Sequence, residues 1–262
     1  MSILVKMTKA LGLLEEKKQK AFNEKTHPCA LHPMKYVFHE EKESRSLVVV
    51  FSAFPAANST ARYNYMRSLK DVNTNKLFIL DDFGFDQRGS YYLGRDGNFQ
   101  IQDATISLIN KIRAENKIEK MVFAGSSKGG YASIFFSSFY ENTHIIAGGP
   151  QYLLGEYLNT PEHAHILKFI CGDSSIESVN SLNSLSRKIL EKKISATCTY
   201  DIFCSKTDSM YPLHVKELLD DLERNKLNFT FNLGTYATHD DLAIEFPAFL
   251  KTTVQNILCP KK

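Results

Sequence analysis

The stretch that most restricts how this chain can fold is Lys120-Met-Val-Phe-Ala-Gly-Ser-Ser-Lys-Gly-Gly-Tyr-Ala-Ser-Ile-Phe-Phe136. Met121 to Ala124 is a short apolar run, of the length and type expected for a buried strand. Gly125, Gly129 and Gly130 then surround two serines and a lysine, and beyond them Tyr131, Ile134, Phe135 and Phe139 fall on one helical face. A strand, a tight turn and a helix around Gly-x-Ser-x-Gly predict a nucleophile elbow. The nucleophile of such a turn sits at a strained backbone position. Glycines two residues to either side remove the side chains that would collide there. Ser127 has them on both sides and Ser126 does not, so Ser127 is the candidate nucleophile. The helix N-terminus then places the Lys128 amide beside any oxyanion forming at Ser127. The Lys128 side chain need not enter the site and reads equally well as a surface lysine.

Apolar runs at Tyr36–His39, Leu47–Phe51, Lys76–Leu80, Met121–Ala124, His144–Ala147, Thr197–Cys204 and Phe229–Leu233 predict strands. Helical patterns lie between most of them: around Arg62 to Met66, at Gln102–Glu115, after the elbow, at Leu213–Arg224 and at Asp241–Ile257. Strands alternating with helices imply a mainly parallel sheet covered on both faces, an α/β fold of the α/β-hydrolase kind. Residues 152–194 interrupt the alternation with short helical segments, as a cap inserted over the strand ends would. Residues 1–22 read as an amphipathic N-terminal helix, with Leu4, Met7, Leu11 and Leu14 on one side. The whole of 1–262 is expected to form a single domain.

A net charge of +3 with scattered basic residues gives no footprint for nucleic acid. Five cysteines without a CxxC pair argue against a disulfide framework and for a reducing compartment, hence the cytoplasm. No run approaches membrane-spanning length. His163 and His165 resemble a metal pair, but positions two apart on a helix point away from one another, and no metal is expected.

In open α/β sheets chemistry gathers at the carboxyl ends of the strands. A serine nucleophile needs a base to take its proton and a carboxylate to hold that base. Asp208 follows the strand ending at Cys204, and His239 follows the one ending near Leu233. The order Ser127, Asp208, His239 is that of α/β-hydrolases. Asp81 and Asp82 also end a strand but precede the serine, and are read as loop-shaping or substrate-facing. Asp240 is assigned to capping the last helix. The second oxyanion donor should come from the loop after Phe51, as the amide of Phe54 or the alternative Ala53. Arg88, Tyr91 and Tyr92 follow a strand end and are candidates for lining a sugar or nucleotide site, or for packing the loop.

Several stretches together resemble the α/β-hydrolase-type O-acetyltransferases of bacterial capsular polysaccharide synthesis. They are Phe51-Ser-Ala-Phe-Pro55, Arg62-Tyr-Asn-Tyr65, Gly89-Ser-Tyr-Tyr92, Gly125-Ser-Ser-Lys-Gly-Gly130, Gly149-Pro-Gln151, Thr207-Asp-Ser209 and His239-Asp240. They span residues 51 to 240 in matching order. The resemblance implies a triad on Ser127, Asp208 and His239, acetyl-CoA as co-substrate, a capsular polysaccharide or oligosaccharide as acceptor, and a cytoplasmic protein that can associate with the membrane through capsule-assembly partners. The same residues would also serve an esterase of acylated carbohydrate. A third reading is a non-catalytic component of polysaccharide or glycoprotein export. Oligomeric state is left open.

Overall fold

The computed structural model describes residues 22–55 and 59–259. The helix expected over residues 1–22 lies, apart from Phe22, outside the described residues. The chain runs β1 (Lys25–His27), β2 (Met34–His39), β3 (Ser46–Phe51), β4 (Asn75–Ile79), α1 (Gln100–Glu115), β5 (Lys120–Ser126) and α2 (Lys128–Ser137). It continues through β6 (His144–Gly148), α3 (Leu154–Leu158), α4 (Ala164–Cys171), α5 (Ile176–Leu190), β7 (Thr199–Cys204), α6 (Lys216–Arg224), β8 (Asn228–Leu233) and α7 (Leu242–Leu258).

One eight-stranded sheet carries these elements in the order β1-β2-β4-β3-β5-β6-β7-β8. From β4 to β8 every pairing is parallel, while β1 and β2 add an antiparallel edge. The charged turn after β2 does not close a hairpin: β4 inserts between β2 and β3, so Tyr36 faces Ile79.

The period of two along the central strands decides what each face buries. Leu47, Val49 and Phe51 of β3, with Met121 and Phe123 of β5, turn to the face covered by α1, α2 and the 152–194 segment. Val48, Val50, Val122 and Ala124 turn to the other face and meet Leu242, Phe246, Leu250 and Val254 of α7. That is why these strands read as unbroken apolar runs. Helix α2 departs from the one-sided pattern its sequence suggests. All ten of its residues are buried, because it is enclosed between the sheet and the 152–194 segment.

Two local expectations fail. Around Arg62 to Met66 the chain forms bends and turns, not a helix. Tyr65 adopts φ +62°, a left-handed conformation that a right-handed helix excludes. The neighbouring side chains are committed elsewhere: Asn64 Oδ1 accepts the Ala53 N–H at 2.8 Å, and the Tyr65 hydroxyl meets Ser126 Oγ. The last helix is also not capped by Asp240, which is exposed. Thr238 and Asp241 form a reciprocal capping box over the short 3-10 turn His239–Asp241 that leads into α7.

Residues 152–194 hold three helices, α3 to α5. They are tied to the loop after β4 by His165 Nε2 against Asp86 Oδ2 at 2.7 Å, and by the Asp96 and Gly97 amides donating to Phe169 and Ile170. Among the described residues no helix is long and apolar enough to cross a membrane.

Candidate active site

The site begins with the turn between β5 and α2. Ser127 sits there at φ 53°, ψ −115°, a conformation that L-residues adopt only where the surroundings enforce it. Its amide is fixed by donating to Gly148 O at 2.8 Å, and its carbonyl accepts the first helical bond from Tyr131. A Cβ on Gly125 would run into the backbone of Gly129, and one on Gly129 into the carbonyl of Phe51. The two flanking glycines are therefore required by close backbone approach. The strain at Ser127 lifts its side chain out at the carboxyl end of the sheet.

The structure brings Ser127, His239 and Asp208 into one hydrogen-bonded line. Ser127 Oγ lies 3.1 Å from His239 Nε2. On the other side of the ring, His239 Nδ1 is 3.1 and 3.0 Å from the two Asp208 oxygens. Asp208 also accepts the Met210 N–H at 2.8 Å and the Tyr236 hydroxyl at 2.8 Å. Burial on its own would push this carboxyl up. The hydrogen bonds and charge from His239, with the other two donors, outweigh it and hold Asp208 below the usual carboxylate range. An ionised Asp208 keeps the Nδ1 proton in place and leaves Nε2 free to accept from Ser127. Gly149, at φ +46°, lies against this pair. A Cβ there would stand 3.2 Å from His239 Cε1 and 3.4 Å from Asp208 Oδ2.

For the anion, Lys128 is the first residue of α2, so its amide has no acceptor within the helix. Of the two alternatives on the facing loop, Ala53 has its N–H engaged by Asn64. The Phe54 amide is the other alternative on that loop. Together the groups form an arrangement able to activate a hydroxyl and hold a tetrahedral oxyanion, the requirements of acyl transfer.

The Lys128 side chain is not on the surface. It is fully buried, with Nζ 2.9 Å from Asp81 Oδ2, which is equally buried, and 3.2 Å from the Asp81 carbonyl. Burial lowers the lysine pKa, and the Asp81 carboxylate opposes that shift. Asp81 also accepts the amides of Ser90 and Tyr92, so its role is loop-shaping. Tyr91 and Tyr92, expected as candidates to line a substrate site, are fully buried instead. Tyr92 donates to Ile79 O and accepts the Ser52 amide, and Tyr91 donates to Gln151. Arg88 stacks over the Phe54 ring at 4.2 Å and donates to Pro55 O, which steadies the loop after β3. These are the packing alternatives: both tyrosine hydroxyls find buried partners, whereas Arg88 satisfies one guanidinium nitrogen and leaves Nε buried without a partner.

Two further residues at the site escape sequence reasoning. Gln151, buried, donates from Nε2 to Ser127 Oγ at 2.7 Å while its Oε1 accepts the Tyr91 hydroxyl at 2.6 Å. Its signal was positional: like Asp208 and His239, it directly follows a strand. His214, buried, accepts the Leu153 N–H at Nδ1. Burial, helped by nearby His239, pushes its pKa down to about 4, so the ring is neutral.

No protein-family model matches the chain, and no curated protein matches it in sequence. Solved structures do. The capsule O-acetyltransferase of Neisseria meningitidis serogroup A is similar at TM-score 0.73 and 22% identity, over 89% of this chain and 98% of that one. A form of the same enzyme in complex with CoA gives 0.70 at 21%, over 85% and 94%. A chain of the glycosylation-associated Gap123 complex of Streptococcus agalactiae is similar at 0.75 and 21% identity, over 91% of this chain and 47% of that one. FphF, a fluorophosphonate-binding serine hydrolase of Staphylococcus aureus, gives 0.64 at 14%, over 90% and 96%. This chain has the α/β-hydrolase fold, and capsule O-acetyltransferases are among the proteins it is similar to.

Proposed function

We propose that this protein is an O-acetyltransferase that moves an acetyl group from acetyl-CoA to a hydroxyl of a bacterial capsular polysaccharide. The observation that carries the reading is the Ser127–His239–Asp208 line, with Ser127 Oγ 3.1 Å from His239 Nε2. It stands on a fold shared with a capsule O-acetyltransferase that has been solved with CoA.

In the first half-reaction Ser127 Oγ attacks the thioester carbonyl while His239 Nε2 takes its proton. The Phe54 and Lys128 amides hold the oxyanion, and the C–S bond then breaks as the CoA sulfur leaves with the proton from His239. In the second half a sugar hydroxyl attacks the acyl-serine. His239 takes that proton and returns it to Ser127 Oγ as the ester is released. Asp208 holds the imidazole tautomer throughout. Acetyl-CoA as donor places the reaction in the cytoplasm, and we read residues 152–194 as the cap of a single domain.

The same groups would hydrolyse esters if water reached the acyl-enzyme, a reading favoured by the likeness to FphF. The likeness to a chain of a glycosylation-associated complex keeps open the accessory, non-catalytic reading, against which the intact triad weighs. The test is CoA release from acetyl-CoA by wild type and Ser127→Ala, with and without capsular oligosaccharides. Ser127→Ala should lower turnover by roughly 10⁴ or more. Turnover needing both acceptor and Ser127 supports transfer. Serine-dependent ester cleavage without acetyl-CoA use supports the esterase, and no serine-dependent chemistry supports the accessory reading.

A further inference from the structure

A cavity of about 590 Å³ opens beside the triad, between α3, the loop 159–163 and the turn after Asp208. It is large enough for one sugar ring and parts of its neighbours. Three contacts tie it to the reacting groups. Met210, in its wall, gives its N–H to Asp208. His214, also in its wall, lies near His239. His163 stacks on Tyr157 at 4.7 Å and meets the Phe54 ring edge-on at 5.5 Å.

The character of the lining selects the occupant. Tyr157, Met210 and Leu213 give apolar faces, and Leu213 is 59% exposed although it is a large hydrophobic residue. Glu156 and Glu162 supply carboxylates, which accept hydrogen bonds from hydroxyls. No lysine or arginine is among the described residues that line the cavity. Burial lowers the pKa of His163, so that ring brings no compensating charge near neutrality. The two carboxylates in the lining outnumber the one nearby cation, Arg88, which acts on Tyr157 and His163 from outside the cavity, and they disfavour phosphates and uronates at this range. The lining therefore suits the phosphate-rich CoA donor poorly.

We propose that this cavity is the acceptor subsite and that the unit it holds is an uncharged sugar residue. The hydroxyls of that residue pair with Glu156 and Glu162, and its apolar ring face packs on Tyr157 and Leu213. The assignment rests on the transferase reading above but is tested apart from it.

The experiment uses full-length protein carrying ¹³C-methyl methionine, with the Met210 signal assigned by Met210→Leu. Chitotetraose and maltotetraose serve as uncharged probes and tetragalacturonate as the anionic one. Acyl-Ser127 formation from acetyl-CoA is followed separately by intact-mass spectrometry. At least one uncharged probe should shift the Met210 methyl with an affinity at least tenfold tighter than tetragalacturonate. A Glu156→Lys, Glu162→Lys double variant should lose that preference or invert it. Equal or tighter binding of tetragalacturonate to wild type overturns the proposal. So does an unchanged preference in the double variant, or no shift of Met210 by any probe. If wild type forms no acyl-serine, the transferase reading falls and the acceptor assignment with it. Acylation without a Met210 response removes the subsite alone.

Discussion

Two buried carboxylates end two strands of the same sheet, and the contrast between them explains how this site works. Asp81 follows β4 and Asp208 follows β7, and both side chains are fully shielded from water. Each accepts backbone amides, and each faces a basic group about 3 Å away. The Lys128 side chain opposite Asp81 is fully buried as well, whereas His239 opposite Asp208 is 24% exposed. The first pair is sealed from water and its work is mechanical: it locks the Ser90–Tyr92 loop to the first turn of α2. The second is open along one edge, and its histidine reaches Ser127. A carboxylate and a base become a catalyst only where the base can exchange a proton with something outside the pair.

The contrast is sharpest when each pair is broken. Asp208→Asn keeps the shape but loses the charge that holds the His239 tautomer. Turnover of acetyl-CoA with acceptor should fall by roughly 10⁴, with the thermal midpoint little changed. A loss under tenfold would remove Asp208 from the mechanism. Lys128→Met leaves Asp81 buried without its cation. Urea denaturation should show a stability loss of about 3–5 kcal/mol, partly recovered in Lys128→Met, Asp81→Asn. If the single variant matches wild type in urea, the sealed pair is not a strut.

Protonation of His214 tests the same boundary from the side. Its pKa is lowered from 6.5 to about 4 in the fold, so between those values the unfolded chain binds the extra proton. Its contribution to stability is complete above pH 6.5 and declines as pH falls toward 4, by about 3 kcal/mol at most. Denaturation midpoints across that window should depend less steeply on pH in His214→Asn, and an equally steep dependence would contradict the burial argument. The smallest effect is expected at Gln151. Gln151→Leu removes the hydrogen bond to Ser127 Oγ, of about 0.5–1.5 kcal/mol, and leaves the buried Tyr91 hydroxyl without its acceptor. It should slow turnover severalfold without abolishing acylation of Ser127, which intact-mass spectrometry reports.

What the sequence made legible, and what it did not, divides along the same line. The apolar runs of β3 and β5 and the glycines around Ser127 are local signals, because backbone sterics and two-sided burial act on neighbours in the chain. Chain order brought out Asp208 and His239 for a related reason, since each follows its strand directly. The sealed pair was hidden because Lys128 and Asp81 are 47 residues apart, and nothing local to a lysine reports that a carboxylate will meet it in the interior. The turns around Tyr65 were misread as a helix because the side chains that forbid it, Asn64 and Tyr65, act on residues far along the chain. Gln151 went unassigned for the same reason, its partners Tyr91 and Ser127 being 60 and 24 residues away.

The bare backbone of Gly149 beneath the His239–Asp208 pair has a consequence for telling catalysts from look-alikes. A methyl group at that position carries no chemistry, yet it would press on the imidazole and, at φ +46°, strain the main chain as well. A protein of this architecture could keep its serine, histidine and aspartate and still have the imidazole and Leu242 displaced by a few tenths of an ångström through one added carbon at the end of β6. Inspecting the three reactive groups is thus an incomplete audit of function, and the fourth position to read is one with no side chain at all.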